Sequence, residues 1–336
     1  MEIVNINPRG FCYGVVDAIM IACNAALDKT LPRPIYILGM IVHNKHVTES
    51  FKEIGIYTID GENRQKILDK INSGTVIFTA HGISFEVACL ARKKGLTIID
   101  ASCPDVQITH ELIKKYIDDG YEVIYIGRKG HPEPEGALGV APGKVHLFSK
   151  LEEVGSLPLT SEKVFATNQT TMSQWEVKVM MKALKKKYPQ VIFHKEICHA
   201  TQIRQKAVAR QAKGCDLTLV IGDSRSNNTN RLAQISLEQA RVPAKRIANL
   251  SELKIQWLKG KRKIAVTAGA STPTAIVREV VKFLEQFDET RVKTWVKNSK
   301  VTSKDILPKL RKKKDLTASR IKKIQELRIK NGLERK

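Results

Sequence analysis

The chain has 336 residues, of which 42% are hydrophobic and only 6% aromatic, and it carries a formal net charge of +23 at pH 7. This length allows two or three buried domains with mainly aliphatic cores. The sequence predicts no membrane span and no secretory signal, because it lacks both a run of about 18 apolar residues and a basic N-terminal segment followed by an apolar one. Six dispersed cysteines are too few for a disulfide framework, so we expect a reducing, cytoplasmic location.

Short β-branched runs alternate with longer amphipathic runs up to about residue 288. This alternation predicts an α/β protein with parallel sheets, and the continuous apolar character of the strands predicts that helices cover both sheet faces. Helices are predicted, for example, at Gln174–Lys187 and Arg231–Ala240. The predicted strands are 2–6, 35–39, 75–80, 96–100, 121–127, 144–148, 163–167, 190–194, 216–222 and 263–269.

The positive charge is concentrated at the C-terminal end. Residues 291–336 contain 17 Lys or Arg and 4 Asp or Glu, which is more than half of the net charge. Within this segment Thr317 is predicted to cap a helix that ends near Lys330. The segment is either a solvated basic helix on a flexible linker or a surface for an acidic partner, RNA or a membrane. The sequence lacks the interleaved aromatic residues that stack on RNA bases, so it does not support an RNA-binding function of the whole chain.

Three cysteines occupy similar positions in segments of similar length. Cys12, Cys103 and Cys198 are 91 and 95 residues apart, and each lies between a strand-like and a helix-like run. This spacing suggests a pseudo-threefold protein that presents one thiolate per segment to a shared centre, as a four-iron, four-sulfur cluster with one open iron requires. No compact C-x-x-C run is present, so three unrelated thiols remain the alternative. The other three cysteines lie in apolar patterns typical of buried thiols: Cys23, Cys89 and Cys215.

Polar residues follow several predicted strands, where open parallel sheets bind their ligands. Three histidines in such loops could donate to an anion or supply a proton: His43, His81 and His131. The run Ser226–Arg231 opens a helix after a strand, and Ser271 opens another, so that uncharged donors at helix N-termini could bind a phosphate. No phosphate-binding P-loop or dinucleotide motif is present. The alternative is that these loops only form turns.

A constrained carboxylate is the candidate proton donor. Prolines on both sides hold Glu133 away from regular helical geometry, two residues from a histidine. Glu135 is the competing candidate. Thr170, in a polar loop further along the chain, could relay a proton through its hydroxyl.

Nine motifs in this order resemble the 4-hydroxy-3-methylbut-2-enyl diphosphate reductase (IspH/LytB) family: RGFCYGV, VHN, AHGIS, DASCP, GHPEPEG, NQTT, ICHAT, SNNTNRL and TAGAS. The resemblance covers roughly residues 1–288. It implies a trefoil of three pseudo-threefold-related α/β units, with mostly parallel sheets, around a central iron–sulfur cluster. We therefore divide the chain into units at residues 1–101, 102–197 and 198–288, followed by a basic tail at 289–336 that is partly helical or flexible.

The resemblance also implies the reaction and its cofactor. The allylic diphosphate loses its hydroxyl with two electrons and two protons and yields isopentenyl and dimethylallyl diphosphate, in the last step of the methylerythritol phosphate (non-mevalonate) isoprenoid pathway. A [4Fe–4S] cluster held by Cys12, Cys103 and Cys198 would keep one iron open to the substrate. Ferredoxin or flavodoxin would deliver the electrons, and the basic tail could assist the docking of either acidic donor.

The motifs assign further roles by resemblance. Glu133 would deliver a proton, while Thr170 and His131 would position the substrate hydroxyl and the proton path. Asn227 stands where the family usually has serine, which predicts altered affinity and retained function. The implied substrate-binding residues are His43, His81, His131, Thr170, Ser226, Asn227, Asn228 and Ser271.

The nearest rival is a non-redox, dehydratase-like enzyme with an open-iron [4Fe–4S] cluster, resembling quinolinate synthase. Its substrate would be a carboxylate, and it would turn over without an electron donor.

Overall fold

The computed structural model describes residues 1–61 and 63–334, so Glu62 of the first predicted unit and Arg335 and Lys336 of the predicted tail lie outside the described residues. This part of the chain contains twelve strands, twelve α-helices and four short 3₁₀ segments. The strands are β1 (Glu2–Asn5), β2 (Ile35–Leu38), β3 (Ile56–Ile59), β4 (Thr75–Phe78), β5 (Thr97–Asp100), β6 (Glu122–Ile126), β7 (Val145–Phe148), β8 (Val164–Asn168), β9 (Ile192–Phe193), β10 (Leu217–Ile221), β11 (Ala244–Ile247) and β12 (Lys263–Ala268). The helices are α1 (Tyr13–Leu27), α2 (Lys45–Glu53), α3 (Arg64–Asp69), α4 (Phe85–Lys93), α5 (Pro104–Asp118), α6 (Pro132–Leu138), α7 (Gln174–Lys187), α8 (His199–Gln211), α9 (Asn227–Glu238), α10 (Thr274–Gln286), α11 (Ser303–Ile306) and α12 (Lys313–Lys330).

The strands form three four-stranded sheets in which every pairing is parallel. The strand orders are β3-β2-β4-β5, β7-β6-β8-β9 and β11-β10-β12-β1. Each sheet therefore repeats one topology, and the N-terminal strand β1 supplies the fourth strand of the third sheet. The prediction of an α/β fold with parallel sheets is confirmed. Strands β4, β8 and β10 are buried along their whole length, as expected where both faces of a sheet are covered.

All ten predicted strands are present, and two further strands were not predicted. Strand β3 has Tyr57 half-exposed, and β11 has the sequence AKRI with two exposed residues. Both are edge strands, and an edge strand that is partly solvated lacks the continuous apolar run that marks a buried one. The pairing of β1 was also not predicted: β1 belongs to the predicted segment 1–101, yet Glu2 aligns with Lys263 of β12.

The described residues divide into two compact units. The first consists of Met1–Val15, His43–Ser50 and His199–Pro308, and it contains the sheet of β11, β10, β12 and β1. The second consists of Val16–Val42, Phe51–Cys198 and Lys309–Lys336, and it contains the other two sheets.

One face of the tail helix α12 packs against α5. Leu327 of α12 lies among Ile108 and Leu112 of α5, and the Arg328 guanidinium donates to both carboxylate oxygens of Glu111 at 2.9 Å. The helix ends at Lys330 as expected but begins at Lys313, where the hydroxyl of the predicted cap, Thr317, donates to the Lys313 carbonyl. None of the described helices combines the length and apolar character needed to cross a membrane.

Candidate active site

The three cysteines that follow the fourth strand of each sheet have equivalent local geometry. Helices α1, α5 and α8 begin at the residue directly after Cys12, Cys103 and Cys198. Each cysteine N–H donates to the carbonyl of the residue that lies two positions beyond the end of the neighbouring strand. These hydrogen bonds join Cys12 to Ala270 (3.1 Å), Cys103 to Ala80 (3.0 Å) and Cys198 to Thr170 (3.2 Å). The backbone geometry at the cysteines therefore repeats with the sheet topology.

The cysteine positions suit thiolate chemistry. All three residues are half-buried at the N-terminus of a helix of 13 to 15 residues, where amide donors and the helix dipole stabilise a thiolate. The Cys103 thiol donates weakly to Oδ2 of Asp105 at 3.8 Å. By contrast, burial raises the pKa of the Cys23 thiol to about 11. Half-buried cysteines with fixed backbones fit the ligands of an iron–sulfur cluster. Cys12 lies in the first unit, and Cys103 and Cys198 lie in the second.

Glu133 is a buried carboxyl group in the second unit. Its side chain is 2% exposed, and its Oε1 accepts a hydrogen bond from the Thr170 N–H at 2.6 Å and one from the Tyr125 hydroxyl at 3.4 Å. Burial raises the pKa of Glu133 to about 7, although the two hydrogen bonds oppose that shift. Burial also raises the pKa of Tyr125 well above its ordinary value, so Tyr125 remains a donor. Glu133 can therefore hold or release a proton near neutral pH.

His131 fixes the start of α6, the helix that carries Glu133 in its first turn. The prediction that the flanking prolines keep Glu133 out of helical geometry was wrong, because the first turn of a helix tolerates proline. His131 caps α6, and its Nδ1 accepts the Glu133 N–H at 3.1 Å. A neutral His131 therefore carries its proton on Nε2. The His81 ring lies edge-on to the His131 ring, with centroids 5.1 Å apart. The second unit thus brings together three predicted site residues around Glu133: His81, His131 and Thr170.

An ion pair distinguishes Glu135 from Glu133. Glu135 lies 3.3 Å from the guanidinium of Arg64, whereas Glu133 is nearly inaccessible to solvent and forms no ion pair among the described residues. Arg64 also donates to the Thr79 hydroxyl at 3.1 Å and to the Pro132 carbonyl at 3.3 Å. Arg64 therefore anchors the first turn of α6. The sequence contains no signal for this role, because the contacts join positions far apart in the chain.

Two glycines of the polar motifs make room for a buried imidazole. A Cβ atom at Gly82 or at Gly136 would lie 3.1 Å from Cε1 of His110, which is closer than nearly all real Cβ contacts. Burial lowers the pKa of His110 to about 4, so this ring is neutral at physiological pH. The loop after His81 and the helix after Glu133 consequently pack against the same side chain of α5. From the sequence His110 had no assigned role.

The first unit contains the predicted diphosphate-binding residues other than His81. Ser226 caps α9, and its hydroxyl accepts the Thr229 N–H at 3.2 Å. Asn228 accepts the Ala270 N–H through Oδ1 at 3.0 Å. The neighbouring Ser271 hydroxyl donates to the His43 carbonyl at 3.0 Å. Four of these side chains are nearly fully buried: Ser226, Asn227, Asn228 and Ser271.

Close packing fixes the loops around the start of α9. A Cβ atom at Gly269 would lie 2.0 Å from Oγ1 of Thr229, and one at Gly222 would lie 2.5 Å from the same atom. The loops that follow β10 and β12 therefore approach the first turn of α9 more closely than any side chain permits. The Asp223 carboxylate joins the loop after β10 to the start of α2, because it accepts the Lys45 N–H at 3.0 Å. This packing holds neutral donors at a helix N-terminus, an arrangement that binds phosphate groups.

Comparisons with known proteins identify the family of the chain. Residues 3–285 match the family model described as LytB protein. The chain belongs to the LytB family. A 4-hydroxy-3-methylbut-2-enyl diphosphate reductase of Lysinibacillus sphaericus (strain C3-41) is 61% identical over 311 residues, covering 93% of this chain and 96% of the relative. The reductase of that name from Bacillus subtilis (strain 168) is 61% identical over 313 residues, covering 93% and 100%.

A solved structure of a LytB relative has the same fold. The structure of the E-1-hydroxy-2-methyl-but-2-enyl-4-diphosphate reductase from Plasmodium falciparum matches with a TM-score of 0.80 and 31% identity. The match covers 96% of this chain and 99% of the other. The match to the LytB family model ends at residue 285, before α11 and α12.

Proposed function

We propose that this LytB protein is a 4-hydroxy-3-methylbut-2-enyl diphosphate reductase, which removes the hydroxyl of its allylic diphosphate with two electrons and two protons. The relatives that carry this activity in their names are about 60% identical over nearly the full chain, and one solved relative is described as the terminal enzyme of the non-mevalonate pathway. The observation that carries the proposal is the buried Glu133 carboxyl, whose pKa of about 7 suits it to deliver a proton. It is hydrogen-bonded to Thr170, whose carbonyl accepts the Cys198 N–H.

Cys12, Cys103 and Cys198 are the proposed ligands of a [4Fe–4S] cluster. The repeated backbone geometry at three helix N-termini supports this proposal, and so does membership of the LytB family. When bound, such a cluster supplies the electrons and an open iron that polarises the substrate hydroxyl.

The diphosphate is the proposed ligand of neutral donors. Ser226, Asn228 and Ser271 offer hydroxyl and amide groups beside a helix N-terminus, and His43 is joined to Ser271 by a hydrogen bond. Asn227, buried beside them, replaces the usual serine and offers an amide instead of a hydroxyl. His81 is the proposed donor from the second unit. Burial strengthens each of these interactions with an anion, because water is excluded.

Proton delivery is the proposed role of the group around Glu133. Glu133 protonates the departing hydroxyl so that it leaves as water. Thr170 and His131 orient the substrate hydroxyl and the proton path, and the hydrogen bond between the Glu133 N–H and Nδ1 of His131 keeps Nε2 protonated.

The electron donor is proposed to be ferredoxin or flavodoxin in the cytoplasm. The exposed Lys312 and Lys314 at the start of α12 give the protein a basic surface that would attract an acidic donor. Free thiols at Cys23, Cys89 and Cys215 accord with a reducing compartment.

An anaerobic assay tests the proposed activity. The protein, loaded with iron and sulfide, receives the allylic diphosphate with and without a reductant, and the products are identified. Formation of isopentenyl and dimethylallyl diphosphate only with the reductant supports the reductase. Turnover that needs no reductant would instead support the dehydratase-like alternative, which no comparison favours.

A further inference from the structure

The tail helix contacts the loop of one proposed cluster ligand through Arg320. The Arg320 side chain is 11% exposed, and its Nη2 donates to the carbonyl of Ser102 at 2.9 Å. Ser102 directly precedes Cys103. The other terminal nitrogen of Arg320 lies 3.9 Å from Oδ2 of Asp17, a buried residue of α1. One guanidinium, from beyond the residues that match the family model, therefore joins the Cys103 loop to a second helix.

The first unit has the same arrangement at Cys12. Arg204 of α8 is 5% exposed, and its Nη2 donates to the carbonyls of Gly10 and Phe11 at 2.8 and 3.3 Å. Phe11 directly precedes Cys12. At both cysteines, then, a buried guanidinium donates to the carbonyl oxygen of the residue directly before the cysteine.

Arg320 completes the hydrogen bonding of the Cys103 loop. The Ser102 N–H donates to Oδ1 of Asp100 at 2.8 Å, and the Cys103 N–H donates to the Ala80 carbonyl at 3.0 Å. The Ser102 carbonyl receives its bond from Arg320. Hydrogen bonds from a charged donor are about twice as strong as neutral ones, so this bond restricts the rotation of the peptide between Ser102 and Cys103.

Contacts that do not involve Arg320 hold α12 in a position from which Arg320 reaches the Ser102 carbonyl. Leu316 and Leu327 are buried, and Arg328 forms its two hydrogen bonds with Glu111 two turns beyond Arg320. Because these contacts do not depend on Arg320, the helix can remain docked when that side chain is replaced.

We propose that Arg320 is a positioning residue that holds Cys103 in the conformation needed to bind the cluster, as Arg204 does for Cys12. This inference rests on the proposed role of Cys103 as a ligand. The tail is then a structural part of the cluster site as well as a carrier of charge.

The test compares the anaerobically purified, full-length holoprotein with Arg320→Gln. Iron release to a chelator and hydrogen exchange at the Ser102 and Cys103 amides are measured. Loss of one charge-assisted hydrogen bond predicts that both processes accelerate about tenfold. Lys322→Gln removes one exposed charge from the same helix and should leave both rates unchanged. Arg320→Lys, which keeps a charged donor, should restore part of the protection.

A second variant separates the peptide contact from the ion pair. Arg320→Gln leaves Asp17 buried without its cation, which could loosen α12 as a whole. Asp17→Asn combined with Arg320→Gln removes the stranded charge and should still show faster iron release. Asp17→Asn alone keeps the bond to Ser102 and should retain iron like the wild type.

Two results would overturn the inference. One is that Arg320→Gln behaves like Lys322→Gln in both measurements. The other is that Arg328→Gln, which breaks only the contact with Glu111, accelerates both processes as much as Arg320→Gln. Cys103→Ser separates this failure from that of the proposed function. If Cys103→Ser loses its cluster while Arg320→Gln retains it, only the positioning role is wrong; if Cys103→Ser retains a wild-type cluster, the ligand set itself is wrong.

Discussion

The backbone N–H of Thr170 donates to the carboxyl group of Glu133 at 2.6 Å, and the carbonyl of the same Thr170 accepts the N–H of Cys198 at 3.2 Å. One residue thus connects the proposed proton donor to a proposed cluster ligand. Any displacement of the loop after β8 would move both groups together. A short polar loop thus links the proposed proton donor to the proposed cluster ligand.

Glu133→Gln should lower kcat by a factor of about 10² to 10⁴, because the glutamine keeps the shape of the side chain but cannot deliver a proton. The matched control is Glu135→Gln, since Glu135 lies on the same helix but is paired with Arg64. Steady-state kinetics with the allylic diphosphate measure the effect. Equal losses in the two variants would contradict the assignment of the acid.

The activity should fall as the pH rises through about 7, where Glu133 loses its proton. Glu133→Gln should lack this limb in the residual pH–rate profile of kcat. A limb that persists unchanged in the variant would assign it to another group.

The same shift predicts a pH-dependent stability. In the folded protein the pKa of Glu133 is raised from 4.5 to about 7. The contribution of its protonated form to the free energy of unfolding is therefore fully present below pH 4.5 and is lost as the pH rises through 7. Compared with Glu133→Gln, the wild type should lose on the order of 3 kcal/mol of unfolding free energy over this range. Denaturant unfolding of both proteins at pH 5 and pH 8 measures it. A stability difference that does not change with pH would contradict the raised pKa.

Asn227→Ser should lower the KM for the diphosphate severalfold and leave kcat nearly unchanged. A serine hydroxyl can donate to the anion, whereas the amide of Asn227 also presents a carbonyl oxygen that repels it. Asn227→Ala, which offers neither group, is the control. If the serine and alanine variants have the same KM, Asn227 does not contact the diphosphate.

Gly269→Ala should destabilise the protein by about 1–3 kcal/mol, because the new Cβ would overlap Oγ1 of Thr229. Gly155→Ala is the control, since a Cβ there meets nothing within 4 Å. Thermal or denaturant unfolding compares the two. A stability of Gly269→Ala equal to that of the control would show that the loops can separate without cost.

Charge reversal at the start of α12 tests whether the tail attracts the electron donor. Lys312→Glu with Lys314→Glu should raise the apparent KM for an acidic donor, more so at low salt, because screening weakens attraction between exposed charges. The same change in charge on α7, by Lys182→Glu with Lys186→Glu, is the control. Deletion of the whole tail is less informative, since it also removes Arg320. Equal effects of the two pairs would show that only the net charge matters.

The sequence patterns predicted the features that depend on residues close together in the chain and on the spacing of motifs. Apolar runs located the buried strands, and the spacing of Cys12, Cys103 and Cys198 predicted the equivalent positions that the repeated topology provides. The partner of β1 could not be predicted, because a strand carries no local mark of which distant strand it joins. Strand β11 was missed because its sequence, AKRI, is polar, whereas β3 was missed although its sequence, IYTI, is typical of a strand.

The types of residue in the candidate site could be predicted from the sequence, but the burial and the contacts of each side chain could not. The residue pattern alone left Glu133 and Glu135 as competitors, and the family resemblance favoured Glu133. In the structure, burial and the ion pair of Glu135 with Arg64 distinguish them. The roles of Arg204 and Arg320 come from hydrogen bonds to carbonyl groups about 190 and 220 residues away in the chain. Backbone carbonyls are present at every position, so no sequence motif marks such contacts.

We propose that Cys12, Cys103 and Cys198 hold one cluster whose remaining iron binds substrate, and the Mössbauer spectrum of the ⁵⁷Fe-loaded protein tests this assignment. We expect three equivalent iron sites and one distinct site, with only the distinct site perturbed when the allylic diphosphate is added. Cys103→Ser should lose this spectrum. An unperturbed spectrum with the diphosphate, or a wild-type spectrum in Cys103→Ser, would show that the assignment of the open iron or of the ligands is wrong.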